Sequence, residues 1–359
     1  MSIPPICHPE ERSDEESNHP FVILRNAVTK DLDRLKFLTK ETKLKYIQQL
    51  REGENVNDIY LCVNVQSATT KNGKSYLNVL LQDKTGTLDG KVWDPLDAGI
   101  DDFDKLDYID VKGEVTVFNG AMQLNIKRVR KAREGEYDPA EYVPVSRFDI
   151  GEMYGALLKY IDRMQNEYLK RLCQDIFVND EELSAAFKSR SAAKTVHHAF
   201  MGGLLEHTLR VTAFCETMAK SYSYLNRDLL ICAALCHDIG KLREITPFPE
   251  NDYSDEGQLL GHIVMGYEMV KDYAKKQEDF PEGLLNELLH CILSHHGELE
   301  FGSPKKPALA EAVALSFADN TDAKLETMRE ALEAGDSAGK TGWLGFNRYL
   351  DSNIRKTMG

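Results

Sequence analysis

Apolar and polar positions recur with two different periods along this chain, and the change between them divides it. In the stretch DLDRLKFLTKETKLKYIQQLREG, Leu32, Leu35, Leu38, Leu44, Ile47 and Leu50 are spaced roughly as on one helical face, with a break at Thr39. The texture then becomes strand-like: DIYLCVNVQ, SYLNVLLQD, LDGKVWD, YIDVKGEVTVF and MQLNIKRVR alternate over short runs, with turn signals at Asn72-Gly73, Thr85-Gly86 and Asn119-Gly120. Five short strands in so few residues predict a small closed barrel. The segment AREGEYDPAEYVPVSRFD, holding Pro139 and Pro144, lacks periodicity and predicts a linker. From about Ile150 onward the pattern is almost wholly helical, as in RDLLICAALCHDIGK and LLNELLHCILSHH. The expected organisation is therefore a disordered tail over 1–20, a helical lead-in over 21–54, a barrel over 55–133, a linker over 134–149, a helical bundle over 150–330 and a C-terminal extension over 331–359.

Composition narrows the function classes. At 359 residues the chain is long enough for two cores. No run approaches the roughly 20 apolar residues of a membrane helix, so no membrane partner is expected. The start, MSIPPICHPEERSDEESNHP, has no apolar core of a secretory signal. Seven cysteines, odd in number and without a CxxC pair, argue against a disulfide framework and for the cytoplasm. A net charge of -14 argues against generic binding to polyanions, so any nucleic-acid contact must be local.

The candidate chemistry is a set of histidines and aspartates. Leu229 to Cys236 is an unbroken apolar run, which predicts a helix buried on all sides, and it ends in His237-Asp238. An imidazole and a carboxylate in such a place are costly unless satisfied, and a divalent cation satisfies both. In AEAVALSFADNTDAK, Asp319 shares a stripe with Ala312, Leu315 and Ser316. LLNELLHCILSHHG puts His296 on the stripe of Leu285, Leu289 and Ile292, pointing inward, with His295 beside it. His207 falls in the second turn of an amphipathic helix, after Gly202 and Gly203, which permit close backbone approach. His262 heads a further helical segment. An adjacent His-Asp pair alone is more often a helix-terminal cap than a metal site; the whole ordered set overturns that. His290 and His8 are read as ordinary histidines.

The order His207, His237-Asp238, His262, His295-His296, Asp319 resembles the H...HD...H...HH...D signature of the binuclear branch of the HD phosphohydrolase superfamily. The resemblance implies that His207, His237, Asp238 and Asp319 are the core metal ligands, that His262, His295 and His296 serve a second metal, and that Asp238 bridges the two. It favours manganese, while imidazole and carboxylate ligands also admit iron, cobalt, nickel or zinc. Two metals suit phosphodiester hydrolysis. Lys241, three residues after Asp238, is a candidate to stabilise charge on the phosphate or leaving group. His197 and His198 are candidates to line the substrate phosphates, against the alternative that they merely begin the helix that carries His207, and Arg190 and Lys194 are candidate phosphate contacts, although a solvated basic face is the commoner meaning of such residues.

The strands resemble an OB-fold of the tRNA-anticodon-binding type, with NVLLQDKTGTLDGKVWD covering its second and third strands. OB-folds bind single strands by stacking bases on aromatics flanked by basic groups. Tyr76, Trp93 and Phe118, with Lys74, Lys91 and Lys127, are the candidates, against the alternative that Trp93 and Phe118 fill the barrel interior. Lys127, Arg128, Arg130, Lys131 and Arg133 are expected to form a local basic patch. The whole, an OB-fold barrel followed by an all-α HD domain, resembles the YhaM-type 3′→5′ exoribonucleases over roughly residues 25 to 325. That resemblance implies a metal-dependent enzyme that shortens single-stranded RNA from the 3′ end and releases nucleoside monophosphates; single-stranded DNA is a second candidate substrate and a homo-oligomer a candidate assembly. The competing readings are a phosphohydrolase of small or cyclic nucleotides and a non-enzymatic RNA-binding module with a structural metal.

Overall fold

The computed structural model describes residues 45–70, 72–195 and 198–357. The expected tail, most of the lead-in, His8 and His197 lie outside them. Strands β1 (Asn55–Thr69), β2 (Ser75–Asp83), β3 (Gly86–Val92), β4 (Tyr108–Phe118) and β5 (Ala121–Lys131) close into a barrel in the order β1-β2-β3-β5-β4. All pairings are antiparallel except β3 with β5. Alternation sends Val79 and Leu81 of β2, Val111 and Val115 of β4, and Leu124 and Ile126 of β5 into one core. Asn119 and Gly120 both have positive φ, 50° and 81°, as a two-residue hairpin turn requires. The β2–β3 turn lies one residue earlier than expected: Asp83 pairs with Gly86, so Lys84-Thr85 form the turn.

Only a short end of the lead-in is described, and it is not an α-helix. Ile47–Gln49 make one 3₁₀ turn between extended residues Tyr46 and Leu50, because Ile47 and Leu50 are drawn into the barrel core and the Ile47 amide donates to Asp83 Oδ2 at 2.6 Å. The segment after β5 is packed rather than free. Tyr142 and Val143 join Ile59, Leu61 and Tyr108 of the barrel in a small apolar cluster that also takes in Met201 and Phe248 of the helical domain.

The helical domain comprises α1 (Ile150–Asp162), α2 (Glu167–Gln174), α3 (Glu181–Ser189), α4 (Gly203–Ser221), α5 (Arg227–Cys236), α6 (Lys241–Glu244), α7 (Asp255–Lys275), α8 (Glu282–Leu293) and α9 (Ala310–Ser337). At its centre α5 is buried from Asp228 to Cys236, as its apolar run dictates. α9 continues past residue 330 and is followed by a hairpin of β6 (Trp343–Asn347) and β7 (Ser352–Arg355), whose Leu344 packs against Gly335. Among the described residues no helix is long and apolar enough to cross a membrane.

Candidate metal centre

Five elements converge on the end of α5. Gly202 (φ 80°) opens α4, and a Cβ at Gly203 would lie 2.0 Å from the His198 carbonyl, so only glycine lets α4 start against that loop and carry His207 inward. Gly240 plays the same part on the other side, where a Cβ would lie 2.0 Å from the His262 carbonyl. α7 breaks at Gly261 (φ 75°, ψ 156°), and His262 begins its second half. α9 supplies Asp319, and the turn after α8 supplies His295 and His296.

The histidines share one orientation rule: each Nδ1 is engaged and each Nε2 is left for the interior. His237 Nδ1 donates to Ala234 O (2.7 Å), His295 Nδ1 to Ile292 O (2.6 Å), and His296 Nδ1 to Phe301 O (2.8 Å). His207 Nδ1 meets Asp322 Oδ2 (2.8 Å) and His262 Nδ1 meets Glu244 Oε1 (3.0 Å). These bonds fix tautomers and ring angles as outer partners of metal ligands do. The Nε2 atoms surround Asp238, which is 1% exposed. Its Oδ2 faces His207 at 3.3 Å and His237 at 3.4 Å, while its Oδ1 faces His262 at 3.4 Å and His295 at 3.6 Å. Asp319 Oδ1 closes the first group, 3.3 Å from His207 Nε2.

Two triads thus lie on the two sides of one carboxylate: His207, His237 and Asp319, and His262, His295 and His296. Both Asp238 oxygens and the Nε2 atoms of His262 and His295 are buried without a hydrogen-bond partner. Lys241 Nζ approaches Asp238 Oδ2 to 2.7 Å and forms an ion pair with it. Unsatisfied buried acceptors in this number fit a divalent cation. The HD-type order of these residues fits a dependence on divalent metal.

Protonation follows the same geometry. Burial alone would raise the Asp238 pKa, but Lys241 and His237 hold it well below the usual carboxylate range. Asp319 is likewise held low against its burial, chiefly by His207. Burial lowers His295 and His296, keeping both rings neutral and able to ligate. Burial alone would also lower His207, yet Asp238, Asp319 and Asp322 raise it well above the ordinary histidine range. A bound cation would satisfy those carboxylates in place of that proton.

Several expectations need correction. α8 stops at Leu293, with Ser294 at its C-cap and Gly297 at φ 82°, so the stripe through Leu285 and Ile292 does not reach His296. His295 is the fully buried one, and His296 sits at the cavity wall. His198, a candidate substrate contact, is 1% exposed, lines the cavity beside His207 and Lys241, and turns its Nε2 to Asp322 Oδ2 at 2.9 Å, the same carboxylate that holds His207. Arg190 is half-buried and reaches the Leu242 carbonyl (3.4 Å), and Lys194 is paired with Asp252 (2.5 Å). Lys194 is thus paired, while the Arg190 Nε is buried without a hydrogen-bond partner. His290 accepts from the Ala308 amide (2.9 Å), a structural role. Asp322 was missed, although it stands one turn after Asp319 in DNTD; behind it Glu326, Glu206 and Arg210 continue the network.

On the barrel, Trp93 and Phe118 are 50% and 64% exposed and do not fill the interior. Trp93 stacks on Tyr76 (centroids 5.1 Å apart, 28° between planes) and donates from Nε1 to Asn125 Oδ1 (3.0 Å). Val117 and Met122, across the β4–β5 hairpin, are also exposed. The expected basic patch is largely neutralised: Lys127 pairs with Glu114, Arg130 with Asp110 and Glu136, and Lys131 with Asp107. Arg128 has no acidic partner among the described residues and lines a shallow groove with Lys112 and Asp101.

Barrel and cluster each match a family model: the OB-fold nucleic acid binding domain over residues 59–132 and the HD domain over 204–324. The chain is therefore an OB-fold barrel joined to an HD domain. A 3'-5' exoribonuclease YhaM from Geobacillus sp. (strain WCH70) is 36% identical over 300 residues, covering 80% of this chain and 88% of that protein. The YhaM exoribonuclease of Bacillus subtilis (strain 168) is 34% identical over 286 residues, covering 78% and 88%. This chain belongs to the YhaM exoribonuclease family. Among solved structures, the second OB-fold domain of replication protein A from Methanococcus maripaludis is 18% identical with a TM-score of 0.21, covering 25% of this chain and 95% of that one.

Proposed function

We propose that this protein is a cytoplasmic, metal-dependent 3′→5′ exoribonuclease that hydrolyses single-stranded RNA and releases nucleoside monophosphates. The observation that carries the reading is Asp238, whose two oxygens face two separate imidazole groups, His207 and His237 on one side and His262 and His295 on the other. His207, His237, Asp238 and Asp319 would hold one divalent cation, and Asp238, His262, His295 and His296 a second, with manganese the first candidate and iron, cobalt, nickel or zinc admitted by the donor set. A pair of such ions lowers the pKa of a bound water and stabilises the attacking and leaving oxygens of an in-line displacement at phosphorus.

The chain's own side chains supply the rest. Burial would lower the Lys241 pKa, but Asp238 raises it, so the ammonium stays charged at the wall of a cavity of about 400 Å³ beside His207 and Asp319. There it balances charge on the phosphate. Asp322 holds the His207 and His198 rings at fixed angles. Stacked Tyr76 and Trp93, with Lys91 over the Tyr76 ring, offer the strand a face that tolerates any base. Free buried cysteines fit a reducing compartment.

A time course on 5′-labelled single-stranded RNA with manganese, with and without EDTA, tests this on a sequencing gel. A metal-dependent ladder shortening from the 3′ end is expected, and the same assay on DNA measures the sugar preference. RNA left intact under conditions that hydrolyse a cyclic or free nucleotide would move the assignment to a nucleotide phosphohydrolase.

A further inference from the structure

Beside the cavity that holds Lys241 and Asp319 lies a second, of about 380 Å³, and His296, Phe301 and Asn320 line both. The turn after α8 and the exposed face of α9 form its walls. They approach closely because Gly297 leaves room for Ser316: a Cβ at Gly297 would lie 2.4 Å from Ser316 Oγ. Two large aromatic side chains line this space with their surfaces uncovered, since Phe301 and Phe317 are each 65% exposed, and Val313 adds a third apolar patch at 43%. Its charged lining residues cancel, with Lys306 Nζ 2.6 Å from Glu298 Oε2.

The two cavities therefore differ in what they suit. The first presents Lys241 with His207, His296 and Asp319 of the candidate ligand set, and suits a phosphate. The second presents aromatic faces with no net charge, and takes a flat, uncharged ring; its volume is at the low end for small-molecule sites, which matches one nucleoside and not a run of strand. A stacking face that shares His296, Phe301 and Asn320 with the first cavity suits the base of a nucleotide whose phosphate lies in that cavity.

Building on the exoribonuclease reading, we propose that Phe317 and Phe301 form a base-stacking slot for the 3′-terminal nucleotide, which seats the last phosphodiester at the metal cluster and sets the single-nucleotide step. The Phe301 backbone has a separate duty, because its carbonyl accepts from His296 Nδ1 at 2.8 Å. Truncating that side chain leaves the carbonyl in place. Phe317 projects from the solvent side of α9, so its replacement removes a face without opening the core.

The test compares kcat/KM on three RNAs of one length: fully based, abasic at the 3′-terminal position, and abasic at the penultimate position. The wild-type protein should cleave the terminally abasic RNA about tenfold more slowly than the fully based one, the size expected for one lost base–aromatic stack. Phe317→Ala should shrink that ratio to below about twofold, Phe317→Trp should restore it, and Phe301→Ala should shrink it in part. If wild type shortens the based and terminally abasic RNAs equally, if the penultimate base alone matters, or if Phe317→Ala keeps the full ratio, the slot is overturned and the exoribonuclease reading stands. If wild type shortens none of the RNAs, the exoribonuclease reading itself falls.

Discussion

Charged groups on the barrel and in the helical domain face opposite conditions. Lys127, Arg130 and Lys131 meet Glu114, Asp110 and Asp107 in water, with side chains 41% to 66% exposed on the basic side. Asp238 meets its imidazoles at 1% exposure, with Lys241 Nζ at 2.7 Å as the one cation beside it among the described residues. A surface pair is screened and contributes roughly 0–1 kcal/mol, so each barrel charge is individually expendable. A buried carboxylate among oriented imidazoles is costly to form and is kept only where something repays its desolvation. Function that rests on the barrel should degrade residue by residue, and function that rests on the cluster should fail at a single substitution.

The largest expected effect sharpens that contrast. Asp238→Ala removes the carboxylate that both triads face. RNA hydrolysis should fall by on the order of a thousandfold or more, while binding of single-stranded RNA by the barrel stays within about twofold. Single-turnover cleavage and fluorescence anisotropy on one preparation measure the two. Hydrolysis that survives this change would remove the cluster from the mechanism.

Next in size is Asp322→Asn. The amide keeps the shape but not the charge that holds His207 and His198. Cation affinity should weaken by about 10- to 100-fold, as outer-partner changes at metal sites do. Direct titration with manganese reads this without reference to turnover, and an unchanged affinity would reduce Asp322 to a packing role.

What could be read in the sequence divides along the same line. The strands were legible because half-burial imposes a period of two and Asn119-Gly120 marks its own turn. The cluster was legible because an apolar run as long as Leu229–Cys236 cannot end in His-Asp without a reason. The side-chain directions were not. His296 was placed inward by extending a helical stripe through Ser294, where the backbone leaves the helix. Asp322 carries no local signal, because the partners it joins, His198 and His207, lie more than a hundred residues away. The basic run after Asn125 read as a patch because its acids come from a neighbouring strand and turns: Asp110 and Glu114 on β4, Asp107 just before it, and Glu136 after β5. Local period fixes elements, and pairing across the fold decides what their charges do.

Trp93→Ala probes the barrel's aromatic face. The indole is half exposed, stacks on Tyr76 and is held by Asn125. Its loss should weaken RNA binding roughly 5- to 100-fold, the range for one base–aromatic stack. Equal affinity for wild type and variant in an anisotropy titration would shift the strand to another surface.

The smallest effect tests the barrel half of the comparison most directly, because it sets two neighbouring cations against each other. Lys127 already has Glu114 at 3.2 Å, so a phosphate must displace that carboxylate before it gains the ammonium. Lys127→Ala should therefore change RNA affinity by less than about twofold and leave the salt dependence unaltered. Arg128, with no acidic partner among the described residues, gives up nothing to meet a phosphate. Arg128→Ala should weaken binding more and lower the slope of log affinity against log salt by about 0.7, the single-strand value for one lost phosphate contact. Affinities measured from 50 to 200 mM salt separate the two variants. If Lys127→Ala flattens the slope as much as Arg128→Ala does, the Glu114 pair opens freely in solution, and exposed pairing does not predict which barrel charges reach the strand.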